Sequence, residues 1–155
     1  MSILHNEDPR IESRRLRRRH LVFGWWSLAG FILLGILLES LHGFKASWYL
    51  DPAFETRRLL WRLAHAHGTL LSLLQLAFAA AISESRPVDR GDRITSLLLM
   101  LGGFILPLGF FLGGITIFGG DPGPGILLAP IGALLLLIAV VRIAWYVTFK
   151  RDSVE

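Results

Sequence analysis

Two histidines and an arginine stand together at the start of a long apolar run, in the order Trp61-Arg62-Leu63-Ala64-His65-Ala66-His67-Gly68-Thr69. An imidazole nitrogen can ligate a metal or a haem iron, and the ring can carry a proton near neutral pH. On a helix turning about 100° per residue, Arg58, Arg62, His65, Thr69 and Ser72 share one face. His67 falls about 200° round from His65, beside Leu60, Leu71, Leu74 and Phe78. The pair cannot chelate one metal from a regular helix. Each histidine addresses a different neighbour.

A polar stripe on a membrane helix should face protein, because polar side chains are costly in lipid. By depth, the groups that could meet it are Glu39 and His42, at the end of the first apolar block, and Asp121, in the turn before the last one. The candidate ligand or proton-binding residues are thus His65, His67 and His42, supported by Glu39, Arg62, Arg58, Thr69 and Asp121. Three chemistries fit. His65 or His67 could hold a b-type haem or a metal ion with His42 from another helix. The cluster could relay protons or ions, with Gln75 deeper in the span continuing the path. It could also recognise a quinone or lipid head group. The competing structural reading pairs Glu39 with Arg62 or Arg58, lets His65 donate to a carbonyl and makes His67 a packing residue.

The elements that must position these residues are readable from composition. Of 155 residues, 53% are hydrophobic, and they come in four blocks of roughly twenty, enough for a helix to cross about 30 Å of hydrocarbon. The blocks do not alternate in polarity as barrel strands do. The fold class is all-α, a polytopic membrane protein built as an antiparallel bundle of four transmembrane helices. The expected divisions are a polar, Arg-rich segment over 1–20, a transmembrane domain over 21–149 with helices at about 21–41, 52–82, 94–118 and 124–149, and a polar tail over 150–155.

Within the expected third helix, Pro107 removes a backbone donor and predicts a kink. Gly109 and Gly113 on that helix, and Gly125 and Ala129 on the fourth, predict close packing of one against the other. The chain has no cysteine, which excludes disulfides, thiolate metal sites and cysteine catalysis. No G-x-S-x-G, H-E-x-x-H or Gly-Lys-Ser/Thr phosphate loop is present, so no catalytic residue is assigned and the reading leans away from an enzyme.

Charge sets orientation and partners. Arg14, Arg15, Arg17, Arg18 and Arg19 precede the first apolar block without interleaved aromatics, which points to anionic lipid head groups and not to nucleic acid. Lys and Arg concentrate in the two termini and in the link 83–93, so both termini are expected in the cytoplasm, by default at a bacterial inner membrane. Arg57, Arg58 and Arg62 run against that rule.

A His-x-His-Gly in the second of four membrane helices resembles small uncharacterised bacterial families of four-helix membrane proteins with a His-x-His in one helix. His65 and His67 are also similar to the His-x-His of the central subunit of haem–copper oxidases, where one helix addresses two different haems. That likeness covers these residues and their neighbours alone. The chain has far fewer helices and lacks the other helix-borne histidines, so oxygen-reducing chemistry is not implied. Two classes of function follow: a bundle that binds haem, metal or protons around His65, or a non-catalytic subunit whose Gly-rich helices pack into a larger membrane complex or a homo-oligomer.

Overall fold

The computed structural model describes residues 9–83 and 87–149; the remainder of the Arg-rich start, of the polar link and the tail 150–155 lie outside the described residues. Five α-helices follow one another: α1 (Pro9–Gly43), the short α2 (Ser47–Leu50), α3 (Glu55–Ala81), α4 (Arg90–Gly113) and α5 (Leu128–Phe149). All but α2 are long and apolar enough to cross a membrane. The protein is a multi-pass, all-α membrane protein.

Helix α1 begins far earlier than residue 21. Arginine is a good helix former, and no glycine or second proline interrupts the chain between Arg10 and Phe23. Its 35 residues extend over about 52 Å, beyond the roughly 30 Å of hydrocarbon. The arginine-bearing turns belong to the fold, since Ser13 and Leu16 are buried and Glu12 pairs with Arg93 at the start of α4, 2.5 Å away. Helix α4 starts at a capping box, in which the Asp92 N–H donates to Asp89 at 2.8 Å and the Asp89 N–H donates to Asp92 at 3.0 Å.

Helix α4 passes Pro107 as one helix and stops at Gly113, five residues short of the expected 118. The Gly113-Gly114 pair weakens helix continuation there. Strands β1 (Ile117–Phe118) and β2 (Asp121–Pro122) then pair antiparallel around Gly119 and Gly120, whose φ values of 57° and 94° suit glycine. A 3-10 turn over Pro124–Leu127 leads into α5. The bundle has a hairpin end here and an arginine end opposite.

The helices pack in chain order: α1 on α3, α3 on α4, α4 on α5, with α1 touching α4 only lightly. Small residues close the α4–α5 seam. A Cβ on Gly109 would stand 2.5 Å from the Ala129 nitrogen, one on Gly113 would stand 3.1 Å from the Ile126 Cβ, and one on Gly125 would strike Leu112. Backbones can approach this closely only where side chains are small. Toward the arginine end Arg142 donates to Thr95 Oγ1 at 3.1 Å and to the Gly91 carbonyl at 3.2 Å. It clasps the first turns of α4.

One polar junction binds α1, α3 and α4. His20 and Gln75 are both 0% exposed. The Gln75 Nε2 donates to the Leu99 carbonyl at 2.7 Å, which turns its Oε1 toward His20 Nδ1, 2.6 Å away. His20 therefore donates through Nδ1 and accepts from the Ser96 hydroxyl through Nε2, at 2.7 Å. Every polar group is matched, and α1, α3 and α4 meet at one point. Replacing His20 by Ala strands its partners in an apolar interior, at about 2 kcal/mol. The expected result is a lower thermal midpoint in mild detergent by circular dichroism, with much of the loss recovered in the combined His20→Leu, Gln75→Leu, Ser96→Ala variant. An unchanged midpoint in His20→Ala would show that the junction carries no such load.

Candidate functional site

The site lies where α1 and α3 cross near the hairpin end. Two notches and two rings interlock there. A Cβ on Gly68 of α3 would collide with the Phe31 ring of α1, and a Cβ on Gly35 of α1 would stand 2.8 Å from Nδ1 and 2.9 Å from Nε2 of His65. Each helix thus seats its ring in the other's glycine notch. His65 Nδ1 also lies 2.7 Å from the Phe31 carbonyl oxygen. A carbonyl only accepts, so Nδ1 carries a proton, and in the neutral ring the lone pair is on Nε2.

Beside this ring a cavity of about 520 Å³ opens between α1, α2 and α3. Its polar wall is His65, Arg62, Glu39, His42 and Tyr49; Ile32, Ile36 and Leu38 line the rest together with Gly35. Among the described residues Arg62 and Glu39 form no ion pair with one another. The wall presents a guanidinium, a carboxylate, two imidazoles and a phenol. Helix geometry orders them by depth. His65 lies one turn inward of Arg62, while His42 stands seven residues beyond Gly35, about 10 Å further toward the C-terminal end of α1. Among the described residues no three of His, Cys, Asp or Glu gather as a metal cage.

The other expected members are elsewhere. Arg58 donates to the carbonyls of Tyr49 at 3.0 Å and Asp51 at 2.9 Å, so it fixes the segment that brings Tyr49 to the wall and does not pair with Glu39. Asp121 is exposed on the hairpin and does not reach the cavity. Thr69 is one turn inward of His65 on α3, where its Oγ1 is buried without a hydrogen-bond partner among the described residues. His67 bonds its own helix, donating from Nδ1 to the Leu63 carbonyl at 2.9 Å, and packs on Phe110 with ring centroids 5.0 Å apart. Gly109, Gly113, Gly125 and Ala129 lie at the α4–α5 seam, away from the cavity.

The arginines at the start of α3 have a local explanation. Carbonyls just past a helix end lie outside its hydrogen-bond ladder and need donors from elsewhere, and Arg57 supplies two, donating to Gly114 at 3.0 Å and Ile115 at 3.3 Å just past the end of α4. Thr56 adds a hydrogen bond of 2.6 Å to the Gly120 carbonyl, and Trp61 donates to the Phe111 carbonyl at 3.1 Å. Arg57 and Arg58 are structural. Arg62 alone of the three lines the cavity.

Tyr49 and Gly35 were missing from the expected cluster. Tyr49 is 1% exposed, held by stacking on Trp61 with centroids 6.4 Å apart. A tyrosine in a link gives no periodic signal. The His20 junction was also missed; its signal was a histidine at the border of charge and apolarity, with one glutamine deep in a later span.

No family model, no curated protein and no solved structure matches the chain. The site is therefore read from its own geometry. If the interlock sets it, Gly35→Leu should displace the His65 ring and destabilise by about 1–3 kcal/mol. Gly30→Leu on the same helix, where a Cβ has nothing within 4 Å, should cost little. Equal thermal midpoints for the two variants in detergent would refute the interlock.

Proposed function

We propose that the cavity at the hairpin end is a cofactor site, with His65 as the ligating residue and haem b as the cofactor it takes. One observation carries this reading: the His65 ring is pinned by its Nδ1–H on the Phe31 carbonyl, 2.7 Å away, which reserves Nε2 as an electron-pair donor. Metal-ligating histidines almost always anchor the second nitrogen in this way, because the bond fixes tautomer and ring plane together. A haem needs only one such histidine from the protein, as in globins, whereas a bare ion needs three or four ligands. Arg62 on the same wall suits a propionate carboxylate. Bound there, haem would supply iron-centred electron transfer or ligand binding; the chain contributes the donor atom, the Arg62 counter-charge and the apolar wall.

A second reading, a packing subunit of a larger membrane complex or a homo-oligomer, is favoured by the open row of helices. The apolar residues of α1 are largely uncovered, with Trp26 77% exposed. The glycines of α4 and α5 are consumed within the chain, so the partner surface in this reading is α1.

Orientation belongs to the same proposal. The arginine end would face the cytoplasm of a bacterial cell and the cavity would open on the far side of the inner membrane, a reading supported by the bias of Lys and Arg. The chain has no cysteine, so single cysteines can be added cleanly. A membrane-impermeant maleimide should label Asp121→Cys, and not Ser83→Cys, in intact cells whose outer barrier is permeable. The reverse pattern would invert the assignment.

Haem binding is tested by the visible spectrum of protein purified in mild detergent, before and after haem addition. The expected outcome is a Soret band that His65→Ala abolishes and His67→Ala retains. A folded wild type that shows no Soret band even with added haem would defeat the haem reading and leave the packing subunit.

A further inference from the structure

The row of helices leaves a second, longer space between α1 and α4, and it differs in kind from the cavity at His65. One wall is a single stripe of α1 at helical spacing, from Arg15, Arg18 and Arg19 through Phe23, Trp26 and Gly30 to Leu34. The opposite wall is Met100, Phe104, Pro107 and Phe111 of α4. The floor between them exists because α1 and α4 barely touch. Because α1 is helical through the arginines, their positions are in fixed register with the apolar stripe below them.

We infer that this groove binds one anionic phospholipid, its phosphate held by Arg15, Arg18 and Arg19 and an acyl chain lying along α1 and α4. Three features select that occupant. The charge is concentrated at one end and the remainder of the lining is almost wholly apolar, which is the polarity profile of a lipid. From residue 15 to residue 34 the groove runs about 28 Å, long enough for a head group and an extended acyl chain together. Gly30 widens the groove at mid-depth, since a Cβ there would meet nothing within 4 Å. Guanidinium groups favour phosphate because they can bond two of its oxygens at once.

The site is separate from His65, and its test does not depend on haem. The full chain, purified in mild detergent and delipidated, is titrated with dioleoyl phosphatidylglycerol or dioleoyl phosphatidylcholine and weighed by native mass spectrometry. The expected result is one phosphatidylglycerol bound at a concentration on the order of tenfold lower than phosphatidylcholine, since each arginine near an anionic head group adds to the attraction. Arg15→Gln/Arg18→Gln/Arg19→Gln should erase the preference while leaving weak uptake of both lipids. Gly30→Phe, which fills the groove without touching a charge, should abolish the bound lipid, and Arg90→Gln should leave it unchanged. Equal uptake of the two lipids by the wild type, uptake that survives Gly30→Phe, or a species of twice the chain mass in place of a lipid adduct would each overturn the assignment.

Discussion

The reciprocal interlock of Phe31 with Gly68 and of His65 with Gly35 is the constraint on which the remaining arrangement depends. In lipid there is little hydrophobic drive between helices, so they associate through close packing and through hydrogen bonds. Helix α1 has few other partners, because it packs on α3 and hardly on α4. The interlock fixes its distance and rotation at the hairpin end, and the His20 junction fixes them toward the arginine end. With α1 pinned at both places, its remaining faces are set: one borders the cavity with His65, and another forms the wall of the α4 groove.

The same interaction gives the His-x-His-Gly sequence its meaning. His65 reaches across to a backbone carbonyl, His67 turns the other way onto Phe110, and Gly68 clears the space for Phe31. A packing role and a ligating role are compatible here. The bond that locks the ring also defines which nitrogen holds the lone pair, and preorganised donors bind more effectively than mobile ones. His67 makes the point by contrast: it has the same anchored Nδ1, but it bonds its own helix and lies away from the cavity.

Much of the fold was legible because membrane spans are written in block length, and the four long helices of the structure fall on the four apolar blocks. Helix ends were less legible. The Arg-rich start was read as a flanking segment because charge suggested an interface, whereas arginine's helix propensity carries α1 back to Pro9. The end of α4 was set too late because Ile115–Phe118 is apolar, whereas the glycine pair before it releases the chain into a hairpin. For the site, depth along antiparallel helices could be estimated, and Glu39, His42, Arg62 and His65 share one cavity. Lateral placement could not be estimated. Asp121 had suitable depth but turns outward on the hairpin, and Arg58 had the right face but is drawn to the carbonyls of Tyr49 and Asp51. Gly35 and Tyr49 act by shape, which neither periodicity nor charge reveals.

The central claim is that the His65 ring is locked to α1 through Nδ1 and keeps a bare Nε2. Nitrogen-15 solid-state NMR of histidine-labelled protein in bilayers tests it directly, with a His65→Asn sample identifying the signal. The expected result is a ring protonated at Nδ1, with that proton in contact with the Phe31 carbonyl carbon, and with Nε2 as the bare nitrogen of the neutral form. A His65 protonated at Nε2 with Nδ1 bare would contradict the hydrogen bond, and with it both the interlock and the assignment of His65 as a ligand.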